Sequence, residues 1–422
     1  MNTRMLEVLL LMFVDEFELF LFDADGVIYI GDQPCLGAVE VINILQKRGK
    51  GVRILTNDSR FSRQEIREKL LKMGINFHKE DIITASWCVA CYLKKVKLSK
   101  VLVLGTDALK KEIFEMGGFV VEKSPEAIVV GYNEDLALKD IQKVIHYVER
   151  GITFIATNCD ISFPTPWGRQ PATGSIVRLI ENVTGKKAIV IGKPSAFIFQ
   201  IARNGYSPNT KTVMIGDSPE IDILGAHQVN FSAILVSPQP IQYPTPRDYR
   251  NPDGHVETLF QLIEDSFQLK TWEKPDFPWP EKIEVAVAAL LFDKNKRVLL
   301  VKRKDNSYWA LPTGRMELGE TLEEAVIREI KEELNLKINV KSLVGVYSHP
   351  SDQVLSYNSG ETIQFITSCF LCELKGGNLT NNQLEILESG YYSISHFPQP
   401  MVASHQQWIE DSLKNQERAI FR

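Results

Sequence analysis

"FELFLFDADGV", residues 17–27, runs four apolar residues in succession into two aspartates and a glycine. A strand with one face in water alternates apolar and polar side chains, whereas an unbroken apolar run marks a strand covered on both faces. The pattern recurs in "GVRILTN" (51–57), "KVLVLG" (100–105), "AIVVGY" (127–132), "ITFIATN" (152–158), "KAIVIG" (187–192) and "TVMIGD" (212–217). Each run precedes a helix-like segment; "GAVEVINILQKRG" (37–49) and "SRQEIREKLLKMG" (62–74) are examples. Apolar strands alternating with amphipathic helices predict an α/β fold built on parallel sheet.

The pattern changes once. "KTWEKPDFPWPEK" (270–282) has three prolines and neither helical nor strand period, so it reads as a linker. Beyond it, "IEVAVAALLFD-KNK-RVLLVKR" (283–303) reads as a hairpin with a short polar turn, followed by one helix and more strands: a separate α+β domain. A chain of 422 residues suits two or three domains of about 150 residues each. With 44% hydrophobic and 24% charged residues and a net charge of −5, it lacks the basic footprint of a nucleic-acid binder. The apolar run Val8–Val14 is flanked by Glu7, Asp15 and Glu16 and is far shorter than the roughly 20 residues that span a bilayer. It reads as an extension leading into the first strand of a cytoplasmic protein with no membrane partner. Two C-x-x-C pairs, Cys88/Cys91 on a helix and Cys369/Cys372 on a strand, read as buried free thiols. Residues three apart on a strand point to opposite faces and cannot chelate one ion without a bend.

Several strands end in polar residues, where open parallel sheets place their sites. Asp23 and Asp25 follow the first strand, Thr56 ends "ILTND", Lys193 sits in "IGKPS", and Asp217 and Asp222 lie in "MIGDSPEID". An attacking carboxylate, a proton donor, ligands for a divalent cation and a positive charge are what phosphoryl transfer from a monoester needs. Residues 18–265 resemble the haloacid dehalogenase superfamily in its NagD-like phosphatase branch, through "LFDADGVIYIGDQPCLGA", "ILTNDSRFSRQEI", "FIATNCD", "IGKPSAFIF" and "IGDSPEIDILGA". The resemblance implies a Rossmann-like core and an α/β cap inserted at about residues 80–187. It implies Asp23 as nucleophile and Asp25 as general acid/base, with Thr56, Asn57 and Lys193 on the phosphoryl group. It also implies Mg²⁺ held by Asp23, the backbone carbonyl of Asp25 and Asp217, with Asp222 in support. "TNDSR" departs from the family's more usual Thr-Asn-Asn-Ser, and Asp58 adds a carboxylate that bears on ligand preference.

In "GETLEEAVIREIKEELNL" (319–336), Leu322, Val326, Ile330 and Leu334 form an apolar stripe. Glu329, Glu332 and Glu333 crowd another face, where like charges cost roughly 0.2–0.5 kcal/mol per pair. Carboxylates on a rigid surface suit hard cations such as Mg²⁺ or Mn²⁺. "GRMELGETLEEAVIREIKEELNL" (314–336) resembles the Nudix box, and residues 283–420 resemble the domain that carries it. The resemblance implies that Glu329, Glu332 and Glu333 bind Mg²⁺, that one of them, taken as Glu329, serves as base, and that Gly314, Glu320 and Arg328 brace the site. Asn335 replaces the final glycine and tolerates the same left-handed cap conformation. Tyr308 and Trp309 could stack on a base but more often pack the loop.

The expected division is a phosphatase core at 1–79 and 188–268, the cap at 80–187, the linker at 269–282 and the Nudix domain at 283–422. The function expected is a bifunctional Mg²⁺-dependent hydrolase for small phosphate esters and nucleotide-type diphosphates. The alternative is a phosphatase regulated by a nucleotide-sensing Nudix domain; retention of all three glutamates favours the enzyme. Nothing in the sequence excludes a homo-oligomer.

Overall fold

A computed structural model describes residues 13–165, 167–264, 266–270, 272–357, 361–414 and 418–422. Of the apolar N-terminal run only Phe13 and Val14 fall among them, opening a short helix, Phe13–Glu16. The rest of that run lies outside the described residues. Two compact units meet between Lys274 and Pro275, inside the proline-rich stretch.

In the first unit six parallel strands form one sheet, in the order Gly254–Val256, Ser232–Val236, Thr212–Gly216, Leu19–Phe22, Gly51–Thr56 and Ile82–Thr84. Leu19 and Leu21 enter one apolar cluster while Phe20 and Phe22 enter another, which accounts for the unbroken apolar run. A second parallel sheet orders Ile189–Val190, Thr153–Ala156, Ala127–Val130, Lys100–Leu104 and Phe119–Val120. Strand Ile82–Thr84 pairs in the first sheet and Ile189–Val190 in the second. The two crossings therefore fall a few residues later in the chain than positions 80 and 187. Helix Asp107–Glu115, beside the second sheet, sends Glu112 to a buried ion pair with Arg63 at 3.1 Å. Thr106 Oγ1 donates to the carbonyl of Ser59 at 2.8 Å, so the second layer grips the loop that follows Thr56.

In the second unit the expected hairpin is corrected. Strands Lys282–Leu291 and Val298–Arg303 are not paired along their length; one bridge, Phe292 to Val298, closes the turn between them, and they belong to different sheets. The first lies between Thr313–Arg315 and Thr362–Gly377; the second lies between Trp309–Ala310 and Ile386–Tyr392. Both faces of Lys282–Leu291 are claimed: Val287, Ala289 and Leu291 pack towards the glutamate helix, Ala288 and Leu290 towards Trp309 and Trp408. A strand buried on both sides gains more as the middle of a large sheet than as half of a ribbon. Cys369 and Cys372 fall in the two different clusters, on opposite faces of their strand, and all six cysteines are free thiols. Trp309 is 5% exposed with its ring 4.8 Å from Tyr392, so it packs the core. Among the described residues no helix is long and apolar enough to cross a membrane.

Candidate functional sites

Strand ends of the first sheet, with segments that follow strands of the second, converge on one cavity of about 350 Å³, lined by Asp23, Asp25, Thr56, Asn57, Lys193, Asp217 and Asp222 among others. Lys193, 2% exposed, is its centre. Its ammonium donates to Asp23 Oδ1 at 2.5 Å and to Asp222 Oδ1 at 2.7 Å. Burial acts to lower its pKa, but the two carboxylates more than offset this and raise it above that of an ordinary lysine. Asn57 fixes the lysine's backbone from both sides, accepting from Lys193 N at 2.7 Å and donating to Lys193 O at 3.0 Å. Thr56 Oγ1 accepts from Asp58 N at 3.1 Å.

Asp23, Asp217 and Asp222 can each bring an oxygen within 4.8 Å of the others, the one such acidic, histidine or cysteine group among the described residues. Desolvation, only partly offset by Lys193, pushes the Asp23 carboxyl well up. Asp217 reaches solvent, yet the surrounding protein and Asp222 raise it to about 6. Three carboxylates against one ammonium leave an excess of negative charge that a divalent cation fits. Two glycines permit the crowding. A Cβ on Gly26, at φ +85°, would stand 2.2 Å from Asp217 Oδ2, and one on Gly216 would stand 2.3 Å from Asp222. Asp25 lines the same cavity half-exposed, its carboxylate 3.3 Å from Arg60.

Some lining residues had no role expected of them. Asp160 accepts from Asn57 Nδ2 at 3.1 Å, and burial raises its carboxyl. Arg60 holds Asp58 through two 2.9 Å bonds and lies 5.1 Å from the Phe163 ring centre. Both lie within stretches that carry the family resemblance, "FIATNCD" and "ILTNDSRFSRQEI", and that was the available signal.

The second site starts from helix Leu322–Leu334, capped by the reciprocal Thr321–Glu324 pair and ended by Asn335 at φ 56°, ψ 28°, the left-handed conformation expected of it. Val326, Ile330 and Leu334 are buried as the stripe requires. Arg328 braces the preceding loop through Glu320 at 2.5 and 3.0 Å and the carbonyl of Arg315 at 2.8 Å, drawing the Glu320 carboxyl down to about 2. It also reaches Glu329 at 2.9 Å and Glu332 at 3.2 Å. A Cβ on Gly314 would fall 1.8 Å from Glu329 Cδ, so only glycine fits under that carboxylate.

The glutamates are not an evenly solvated face. Glu332 is open, but Glu333 is 8% exposed and its Oε2 has no hydrogen-bond partner among the described residues. Burial, then Glu329 and Glu385, raise Glu333 to about 8. A buried carboxylate oxygen without a donor fits a cation site. The three glutamates nevertheless do not draw together as the aspartates do, because Arg328 holds two of them. Glu385 and Arg303, which no local motif marks, complete the electrostatics around Glu333.

Residues 20–118 and 190–239 match models described as haloacid dehalogenase-like hydrolase and HAD-hydrolase-like, and residues 282–412 match the NUDIX domain. A dihydroxyacetone phosphatase of Corynebacterium glutamicum (strain R) is 31% identical over 219 residues, covering 51% of this chain and 80% of the relative. A 4-nitrophenylphosphatase of Thermotoga maritima superposes with a TM-score of 0.55 at 28% identity, covering 60% of this chain and 98% of that one. A glycerol phosphate phosphatase of Mycobacterium tuberculosis, in complex with magnesium, gives 0.56 at 26% identity over 63% of this chain and 82% of that one. The chain belongs to the haloacid dehalogenase-like hydrolases, in the manner of NagD-like phosphatases, and carries a NUDIX domain after the phosphatase unit.

Proposed function

We propose that the chain is a bifunctional Mg²⁺-dependent hydrolase, with a phosphate monoester phosphatase in the first unit and a pyrophosphohydrolase for nucleoside diphosphate derivatives in the second. The observation that carries the phosphatase reading is Lys193 bridging Asp23 and Asp222 at the strand ends. In this reading Asp23 attacks phosphorus and forms an aspartyl phosphate, while Asp25 protonates the departing alkoxide and later takes a proton from the attacking water. Lys193, Thr56 and Asn57 bind and orient the phosphoryl oxygens. Asp23, Asp217, Asp222 and the backbone carbonyl of Asp25 would hold Mg²⁺, which screens the repulsion between carboxylate and phosphate when bound. The magnesium complex of the mycobacterial relative supports the metal, and the relatives named for small phosphate esters support that substrate class.

In the second unit Glu329, Glu332 and Glu333 would hold Mg²⁺ or Mn²⁺, with Glu329 as the base; the unpartnered Glu333 oxygen supports this reading. Cleaving a diphosphate yields phosphate monoesters, the class the first unit takes, so the two activities are suited to act in sequence. The test is a pair of variants in the full chain. Asp23→Asn should abolish monoester hydrolysis and spare diphosphate cleavage, whereas Glu332→Gln should do the reverse. Monoester turnover in purified Asp23→Asn protein would sink the nucleophile assignment.

A further inference from the structure

The second unit holds a cavity of about 870 Å³, far more than a row of glutamates needs. Its lining runs from Glu329 and Glu333 past Arg303 to a recess formed by Ala286, Phe365, Tyr357, Gln353, Thr367 and His405. Arg303 is near enough to both Glu333 and His405 to act on their protonation, so the acidic end and the recess flank one guanidinium. Ala286 and Phe365 give the recess apolar surface, and Gln353, Thr367 and His405 are buried polar groups within it. Gln353 is 5% exposed. Its Oε1 accepts from Thr367 Oγ1 at 2.7 Å, and its amide nitrogen has no partner among the described residues. His405 accepts from Leu311 N at 3.0 Å through Nδ1, which places the neutral ring's proton on Nε2. That nitrogen is not among the fully enclosed atoms without a partner, so its unused donors open on the cavity that Gln353 lines, where an acceptor can reach them.

We infer that this recess is the nucleobase subsite of the second unit, in which Gln353 Nε2, in a cavity that His405 also lines, donates to a ring carbonyl of an oxo-bearing base such as guanine or uracil. The inference rests on the diphosphate-hydrolase reading and adds which end of the substrate is recognised and by which atoms. Tyr357 and Phe365 supply apolar walls for a planar ring. Arg303 lies on the path where the diphosphate must run from the recess to the glutamates.

The test uses the full chain and a panel of GDP-, UDP- and ADP-glucose, with a base-less diribose diphosphate as reference. Guanosine and uridine substrates should show a higher kcat/KM than the adenosine one. Gln353→Leu should lower the ratio of their kcat/KM to that of the base-less substrate by roughly 10- to 100-fold, the effect of leaving a buried polar partner unpaired. Gln353→Glu keeps the side chain's shape but removes both donors, and should give the same loss if the leucine variant does not fold. An unchanged ratio in a folded variant overturns the subsite while leaving the hydrolase reading in place. Should the wild-type chain cleave no diphosphate, calorimetric titration with GDP and UDP reads the subsite by itself. Binding that Gln353→Leu weakens upholds it; binding that the variant does not weaken, or no binding, overturns it.

Discussion

The two sites meet the same electrostatic problem with different means. Each sets at least one buried carboxylate among other acidic groups. In the first unit the chain supplies its own buried cation: Lys193 touches Asp23 and Asp222, and both are hydrogen-bonded before any ligand arrives. In the second, Arg328 takes Glu329 and Glu332, and Glu333 is left with a buried, unpartnered oxygen. The lysine makes the first site a preorganised device whose geometry depends on one internal ion-pair network. The second is unfinished, and its stability should respond more strongly to what binds it.

The sharpest break in that comparison is Asp23→Asn. It should take monoester phosphatase activity below detection. The amide oxygen of that variant can still accept from Lys193, so melting of the first unit should move little. Next is Lys193→Ala, which strands two buried carboxylates and should cost about 3–5 kcal/mol of stability in denaturant titration, besides raising KM and lowering kcat. A variant as stable as wild type would show that Lys193 is not the internal counter-ion. Opposite in sign, Glu333→Gln should stabilise the second unit in metal-free buffer at pH 7, by about 1–3 kcal/mol. Its folded carboxyl sits at about 8 against an ordinary 4.5, so the folded state holds a proton that the unfolded state has released. Wild-type stability therefore falls as pH rises from 4.5 to 8, and the glutamine variant should lose that slope. Hydrogen exchange of the amides in helix Leu322–Leu334 measures both, and added Mg²⁺ should protect the wild type more than the variant.

His405 sharpens the comparison from the acid side. Burial holds its pKa at about 3 against an ordinary 6.5, so the unfolded state takes up a proton that the folded state refuses. Its contribution is whole above pH 6.5 and is lost as pH falls towards 3. His405→Gln should flatten that acid limb in exchange measurements on the second unit. The smallest effect belongs to Asn335→Gly, which keeps the left-handed cap and should change stability by less than about 1 kcal/mol.

What could be read without coordinates was local. The apolar run before Asp23, the four-residue stripe of Leu322, Val326, Ile330 and Leu334, and the αL-tolerant Asn335 follow from periods and backbone preferences within a few residues. The strand-end placement of Asp23, Thr56, Lys193 and Asp217 was legible for the same reason: in a parallel sheet each strand's end is marked in its own sequence. The hairpin expected at 283–303 failed because periodicity reports how many faces of a strand are buried and not which strand lies beside it.

Sequence alone thus determined the two folds and their order and singled out the motif residues, since short-range pattern encodes those. Only the tertiary structure decided which charge meets which. Lys193 and Asp23 are 170 positions apart, and Asp160, Arg60 and Glu385 gain their settings from strands and loops distant in the chain. The unused donors of Gln353 became visible only once Thr367, from a neighbouring strand, had taken its carbonyl. Burial and pairing are properties of the packed whole, and these set whether a carboxylate is charged, a lysine is a counter-ion or an amide waits for a ligand.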